Sequence, residues 1–212
     1  MPKLAMIRYL ALGDSYTVGE QVTLTESFPY QLVQSLRLKG WEINAPEILA
    51  KTGWTTDELL AGMESFRFLP SYDWVSLLIG VNNQYRGWPI DTYATEFEQL
   101  LRKAIQLAGG KKERVVVLSI PDWGHTPFAA DRNRQQISTE INAFNQINKQ
   151  LAEKQAVYYI DITEGTREAV SDPALVAQDG LHPSGLEYQR WARFLFDYLS
   201  PNAGGSIPNA RK

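Results

Sequence analysis

The 212-residue sequence contains no cysteine and only two histidines, His125 and His182. Without cysteine there is no disulfide framework, no zinc site built on thiolates and no cysteine nucleophile. Two histidines, with no carboxylates at metal-ligand spacing around them, offer little to hold a dinuclear metal centre, which disfavours a metal-dependent phosphoesterase. We therefore expect neither a metal nor any other cofactor.

The sequence also lacks long apolar runs and a strong charge of one sign. No run approaches the ~20 apolar residues that a membrane span needs. The formal net charge is −3, and the basic clusters at 111–114 and 132–134 are short, so we expect no nucleic-acid partner. Residues 1–15 run directly into a predicted strand and turn, and we interpret them as mature protein rather than a signal peptide, which favours a cytoplasmic location. The sequence does not specify an oligomeric state.

What the sequence does contain is a regular alternation of strand-like and helix-like segments. Apolar segments predict five strands, at 7–12, 41–50, 72–79, 114–120 and 157–162, the second interrupted by Pro46 and so expected at a sheet edge. Amphipathic segments predict helices at 28–39, 57–66, 91–108, 135–151 and 185–199. The pattern predicts an α/β fold, a three-layer α/β/α sandwich with a five-stranded parallel sheet of flavodoxin-like topology. We expect one domain at 1–200 and a flexible tail at 201–212.

A polar, glycine-containing stretch, GDSYTVGE at 13–20, directly follows the first predicted strand. Open α/β sheets bind ligands beyond the carboxyl ends of their strands, so Ser15 is a candidate nucleophile at that edge. One alternative is an ordinary serine that caps a helix. Another is a phosphate-binding loop in a flavodoxin-like small-ligand binding protein, although neither a Walker pattern nor GxGxxG fits the stretch.

A serine nucleophile needs a base that removes its proton. His182 has Asp179 three residues before it, a spacing that lets the carboxylate reach Nδ1 and leaves Nε2 free for the serine. For His125 the only carboxylate at a comparable offset is Asp122, in a different loop. We therefore predict that His182, with Asp179, is the base.

An acyl-transfer site also needs hydrogen-bond donors for the oxyanion that develops in the transition state. The backbone amide of Ser15, Gly53 and the side-chain amide of Asn82 all lie just after predicted strands. Because parallel strands end at the same sheet edge, we expect these three groups to converge there.

Taken together, these stretches resemble the four ordered blocks of the SGNH, or GDSL, hydrolase superfamily. The blocks are GDSYTVGE at 13–20, the Gly53 loop, GVNN at 80–83 and DGLHPS at 179–184. The resemblance spans the whole domain and implies a five-stranded parallel sheet between helix layers. It also implies a role for each site residue. Ser15 would be the nucleophile and the first oxyanion donor, and Gly53 and Asn82 would be the second and third donors. The remaining members of the triad would be Asp179 and His182.

The sequence departs from the family pattern at one position. The third block of the family is usually Gly-x-Asn-Asp, whereas here a neutral Asn83 replaces the aspartate. The replacement puts any salt bridge at this corner in doubt but leaves the triad untouched. No GxSxG pattern is present, which argues against an α/β-hydrolase.

These observations predict a serine esterase that hydrolyses small or short-chain carboxylic esters through an acyl-enzyme intermediate. The same triad would also serve an acyltransferase, a thioesterase or a lysophospholipase-like enzyme. Four aromatic residues follow the predicted strand ends and are candidate substrate contacts: Trp54, Tyr85, Trp88 and Trp123. No insertion is long enough for a lid, so we predict a shallow aromatic pocket that prefers acetyl and butyryl esters to decanoyl esters.

Overall fold

The computed structural model describes residues 6–202. Its centre is one sheet of five parallel strands in the spatial order β2-β1-β3-β4-β5. The strands are β1 (Tyr9–Gly13), β2 (Glu47–Ala50), β3 (Trp74–Leu78), β4 (Val115–Leu118) and β5 (Tyr158–Ile160). The chain thus forms the predicted five-stranded α/β fold of flavodoxin-like topology.

The central strands are apolar because helices cover the sheet. Every residue of β1, β3 and β4 is buried, as expected for parallel strands with both faces covered. In the edge strand β2 only Leu49 is fully buried. The edge position that Pro46 indicated is confirmed.

Eight α-helices accompany the sheet within the described residues. They are α1 (Ser15–Val18), α2 (Phe28–Leu38), α3 (Thr56–Ser65), α4 (Val81–Tyr85), α5 (Ile90–Leu107), α6 (Arg134–Lys154), α7 (Thr163–Arg167) and α8 (Gly185–Asn202). One helical layer is formed by α2 packed against α8, and the other by α3, α5 and α6 packed side by side. None of these helices is long and apolar enough to cross a membrane.

The structure differs from the sequence prediction at several places, among them two short helices, α1 and α7, that were not predicted. The second strand is shorter than predicted, because before Pro46 only Ile43 pairs, in an isolated bridge to Ile7. The stretch 80–83, predicted as a turn, instead begins helix α4. Helix α8 continues to Asn202, and the rest of the predicted tail lies outside the described residues.

The carboxyl ends of the strands supply the candidate site. Helix α1 follows β1, the Gly53 loop follows β2, and α4 follows β3. The turn that contains Asp179 and His182 leads into α8. All of these segments meet at one edge of the sheet, where ligands bind in open α/β folds.

Candidate active site

The nucleophile candidate lies in an abrupt strand-to-helix turn. Gly13 ends β1 without room for a side chain, since a Cβ there would lie 2.4 Å from the carbonyl oxygen of Leu78. Asp14 then caps α1, because its Oδ1 accepts a hydrogen bond of 3.0 Å from the amide of Tyr16. Ser15 is therefore the first residue of the helix rather than its cap, and its hydroxyl is available for other chemistry.

A continuous chain of hydrogen bonds joins Ser15 to a carboxylate. Ser15 Oγ lies 3.1 Å from His182 Nε2, and His182 Nδ1 lies 2.6 Å from Asp179 Oδ2. The other carboxylate oxygen accepts the amides of Leu181 and His182, each at 3.0 Å. Gly180 makes this tight turn possible with a φ of 70°, in the region that favours glycine. The three side chains thus have the relative order that a Ser-His-Asp triad requires.

The environment of Asp179 favours its charged form. Partial burial acts to raise the pKa of this carboxyl, but the hydrogen bonds from the His182 ring and from the two backbone amides outweigh burial and lower it. Asp179 is therefore a carboxylate at neutral pH, which is the form that accepts a hydrogen bond from Nδ1–H.

The predicted oxyanion donors lie on two segments that are tied to each other. The side-chain amide of Asn82 donates a 2.9 Å hydrogen bond to the carbonyl of Trp54, which leaves its second N–H for another acceptor. Arg86 Nη2 donates to the carbonyl of Gly53 at 2.6 Å. Gly53 itself has a φ of 84°, which a residue with a side chain rarely adopts. These contacts hold both ends of α4 against the Gly53 loop.

Asn83, where the family usually has aspartate, makes a two-point contact with Thr56. Its Oδ1 accepts the Thr56 amide at 3.1 Å, and its Nδ2 donates to Thr56 Oγ1 at 2.7 Å. Thr56 Oγ1 in turn donates to Glu96. A neutral amide can accept and donate at once, whereas a carboxylate can only accept. The substitution therefore replaces a charge at this corner with a hydrogen-bonded link between α4 and α3.

The candidate residues open onto one cleft with a volume of about 230 Å³. It is lined by Ser15, Tyr16, Thr52, Gly53, Val81, Asn82, Tyr85, Trp123, Phe128, Leu181 and His182. The structure thus brings Ser15, Gly53, Asn82 and His182 together. Asp179 lies behind His182.

Only two of the four predicted aromatic contacts, Tyr85 and Trp123, line the cleft. Trp54 packs its ring on α3 instead, so closely that a Cβ on Gly62 would lie 2.6 Å from Trp54 Cη2. Trp88 is half-buried after α4 and is likewise not part of the lining. Phe128 was missed, although it follows β4 in the same irregular segment as Trp123 and could have been proposed on that ground.

The described residues include no obvious metal site. Between residues 6 and 202, no three or more histidine and acidic side chains are grouped so that they could hold a metal ion.

Comparison with known proteins identifies the family. Residues 11–190 match the GDSL-like lipase/acylhydrolase family. An acetylxylan esterase from Geobacillus stearothermophilus is 25% identical over 151 residues, which is 67% of this chain and 66% of that protein, just under two thirds of its length. An arylesterase from Vibrio mimicus is 26% identical over 187 residues, covering 87% of this chain and 83% of that protein.

The fold has close counterparts among solved structures. A lipase/acylhydrolase from Enterococcus faecalis superposes with a TM-score of 0.71 at 18% identity, over 93% of this chain and 97% of that one. The alternative of a non-enzymatic flavodoxin-like binding protein is not supported, because the family and both relatives are ester hydrolases. The chain belongs to the GDSL-like lipase/acylhydrolase family and is a carboxylic ester hydrolase.

Proposed function

We propose that this protein hydrolyses small or short-chain carboxylic esters with Ser15 as nucleophile, His182 as general acid and base, and Asp179 as the residue that orients His182. The observation that carries the proposal is the unbroken path from Ser15 Oγ through both ring nitrogens of His182 to Asp179, with distances of 3.1 and 2.6 Å. Both distances are within hydrogen-bond reach, so His182 can take the proton of Ser15 while Asp179 holds the ring in place.

In the proposed reaction, Ser15 Oγ attacks the ester carbonyl and His182 Nε2 takes the hydroxyl proton. The tetrahedral intermediate then collapses, the bond to the alkoxide breaks, and His182 gives its proton to the departing alcohol. Water next attacks the acyl-enzyme with His182 again as base, which releases the carboxylic acid and restores Ser15.

The oxyanion would be stabilised by the amides of Ser15 and Gly53 and by Asn82 Nδ2. All three residues line the cleft, and the contacts of Asn82 with Trp54 and of Arg86 with Gly53 fix two of them before substrate arrives. Donors that are already oriented lower the barrier because they need no reorganisation as charge develops.

The decisive experiment is Ser15→Ala with an aryl acetate as substrate. We expect kcat to fall by roughly 10⁴-fold or more while the protein stays folded, since the variant lacks the hydroxyl that His182 Nε2 contacts. A fluorophosphonate probe should label the wild type but not the variant. Ser171→Ala, at an exposed serine, is the matched control and should label normally. A folded Ser15→Ala protein with near wild-type turnover would contradict the proposal.

The cleft volume supports short acyl groups. A space of about 230 Å³ that must also hold part of the alcohol leaves little room to bury methylenes, each of which would contribute ~0.8 kcal/mol. One relative is named an acetylxylan esterase, and an acetyl group is small enough for this cleft. We expect kcat/KM to be higher for acetyl and butyryl esters than for decanoyl esters. A steady rise to long chains would instead favour a lysophospholipase-like enzyme.

A further inference from the structure

Three rings form an aromatic wall along one side of the cleft: Tyr85, Trp123 and Phe128. Their centroids are 5.4 Å apart for Tyr85 and Trp123, 5.9 Å for Trp123 and Phe128, and 6.4 Å for Tyr85 and Phe128. The Trp123 indole is fixed by a 2.7 Å hydrogen bond from Nε1 to Gln84 Oε1. The wall is thus a packed surface built from two separate segments, α4 and the chain after β4.

The wall is also tied to the proposed catalytic turn. The amide of Phe128 donates a 2.9 Å hydrogen bond to the carbonyl of Gly180, between Asp179 and His182. A group that contacts the wall is therefore held in a defined position relative to the proposed triad.

One cation lies over all three rings. The guanidinium carbon of Arg132 is 5.5 Å from the centroid of Tyr85, 5.7 Å from that of Trp123 and 5.3 Å from that of Phe128. These distances are within the range of cation–π attraction. The side chain is exposed, and its Nη2 lies 3.4 Å from the Tyr85 hydroxyl.

Arg132 has no carboxylate partner among residues 6–202. A second guanidinium near the cleft, that of Arg86, is already engaged by the Gly53 carbonyl at 2.6 Å and by Glu58 at 3.4 Å. A guanidinium contacts rings through its face and carboxylates through the N–H groups along its edge. The wall therefore orients Arg132 while most of its donors stay available to an incoming ligand.

The lining of the cleft itself contains no arginine, lysine, aspartate or glutamate. A charge carried by a bound ester would thus not be met by an ionic side chain inside the cleft. It would be met at the wall, where Arg132 is the cation.

We propose that Arg132 is a specificity-determining residue that binds an anionic group, a carboxylate, on the part of the ester substrate that extends along the aromatic wall. The preferred substrates are accordingly esters that carry a carboxylate outside the reacting bond. The opposite preference, for cationic esters, is disfavoured because the guanidinium already occupies the position over the rings and would repel a second cation. The proposal rests on the function proposed above, since it assigns the substrate class of the same cleft.

The test compares two acetyl esters that differ in charge, 4-acetoxybenzoate and its neutral methyl ester. The ratio of their kcat/KM values is measured in the wild type and in Arg132→Gln, so that the intrinsic reactivity of each ester cancels. We expect the variant to lower the ratio of anionic to neutral ester about fivefold, the size of an exposed charge pair. Arg132→Lys should recover only part of the ratio, because an ammonium lacks the planar fork. High salt should lower the wild-type ratio and leave that of Arg132→Gln largely unchanged.

Arg193→Gln is the matched control, because it removes the same charge from an exposed arginine of α8 that pairs with Asp197. Its ratio should equal that of the wild type. An equal loss for both esters in Arg132→Gln would overturn the proposal and make Arg132 a packing residue of the wall. An unchanged ratio, or a gain for a trimethylammonium analogue with no loss for the anionic ester, would overturn it as well.

A binding measurement separates this proposal from the catalytic one. Calorimetry with Ser15→Ala and with Ser15→Ala/Arg132→Gln measures the affinity for 4-acetoxybenzoate without turnover. We expect about fivefold weaker binding when Arg132 is replaced. If Ser15→Ala still hydrolyses the ester, the nucleophile assignment fails, whereas an equal affinity in both proteins overturns the role of Arg132 alone.

Discussion

Two turns of this protein have the same Asp-x-x-His spacing and different structures. In one turn, His182 Nδ1 lies 2.6 Å from Asp179, and the far side of the ring faces Ser15. In the other, the structure places His125 and Asp122 in a single short turn, but the closest approach is 3.7 Å, from Nε2, which is too long for a hydrogen bond. His125 does not line the cleft.

The difference lies in what else contacts the aspartate. Asp122 is fully buried, its Oδ2 accepts a 3.0 Å hydrogen bond from Arg167 Nε, and its Oδ1 accepts the Gly124 amide at 3.0 Å. Asp179 has no arginine or lysine partner among the described residues, so the His182 ring takes its free oxygen. The same spacing thus gives an Asp179–His182 dyad in one turn and an Asp122–Arg167 ion pair in the other. The difference arises because, among the described residues, an arginine reaches Asp122 but not Asp179.

The two histidines give the sharpest test of this comparison. We expect His182→Ala to lower kcat for an aryl acetate by roughly 10⁴-fold, because the proposed nucleophile loses its base. His125→Ala should change kcat less than about threefold, since the ring is a third exposed and touches neither Ser15 nor the cleft. Steady-state kinetics on both folded variants decides the matter. Comparable losses in the two would show that the base is wrongly assigned.

The two aspartates should separate activity from stability. Asp179→Asn should reduce kcat by roughly 10³–10⁴-fold with little loss of stability, because an amide can present the wrong hydrogen-bonding group to His182. Asp122→Asn should instead lower the free energy of unfolding by roughly 2–3 kcal/mol, because it removes the only buried carboxylate that pairs with Arg167 within the described residues and leaves just the exposed Glu164. Urea unfolding measures the stability of both variants, and steady-state kinetics measures their kcat. A folded Asp122→Asn enzyme as inactive as Asp179→Asn would contradict the separate roles assigned to the two aspartates.

Much of the fold could be predicted from the sequence because its strongest signals are local. The apolar runs of β3 and β4 each indicate a strand, and Gly40, two residues after the last residue of α2, indicates a helix end, all without knowledge of the rest of the chain. Strand ends of a parallel sheet must share an edge, so placing Ser15, Gly53 and Asn82 after strands was enough to predict that they converge.

The remaining features depend on contacts between distant segments. Asp122 and Arg167 are 45 residues apart, so nothing near His125 reveals the rival cation. The short helix α4 is held by contacts across to the Gly53 loop and to Thr56, which local propensity does not register. Trp54 was assigned to the cleft from its neighbour Gly53, whereas its ring packs on α3.

Asn83 lies next to the proposed oxyanion donor Asn82 and has a neutral amide where the family usually has an aspartate. Asn83→Asp would keep the acceptor for the Thr56 amide but lose the donor to Thr56 Oγ1, and it would place a second carboxylate near Glu96. We expect kcat to fall about tenfold with KM nearly unchanged, because α4 carries Asn82 and its position would loosen. Asn142→Asp, at an amide on α6 outside the cleft, is the control. A rise in KM alone would point to a ground-state binding role.

Asp14 is as buried as Asp122, but within the described residues no cation pairs with it. Burial raises the pKa of Asp14 from 3.8 to about 7, although the hydrogen bond from the Tyr16 amide acts to lower it. Its Oδ2 has no hydrogen-bond partner among the described residues. Asp122, by contrast, has both oxygens engaged by Arg167 and by a backbone amide.

The sign of the resulting pH dependence follows from where each state holds the proton. Between pH 3.8 and about 7 the folded protein keeps a proton on Asp14 that the unfolded chain has released. Stability therefore falls as pH rises through this window, by up to ~1.4 kcal/mol per pH unit, and the contribution of Asp14 is constant above it.

Asp14→Asn removes the titration while its Oδ1 still accepts the Tyr16 amide. Urea unfolding from pH 5 to 9 should thus show the wild type losing stability relative to Asp14→Asn up to about pH 7 and not beyond. Asp131→Asn, at an exposed aspartate, is the control, and its stability should follow that of the wild type from pH 5 to 9. A constant difference between the wild type and Asp14→Asn from pH 5 to 7 would mean that burial without a cation leaves this carboxylate unperturbed, and the contrast with Asp122 would then have to be explained by something other than Arg167.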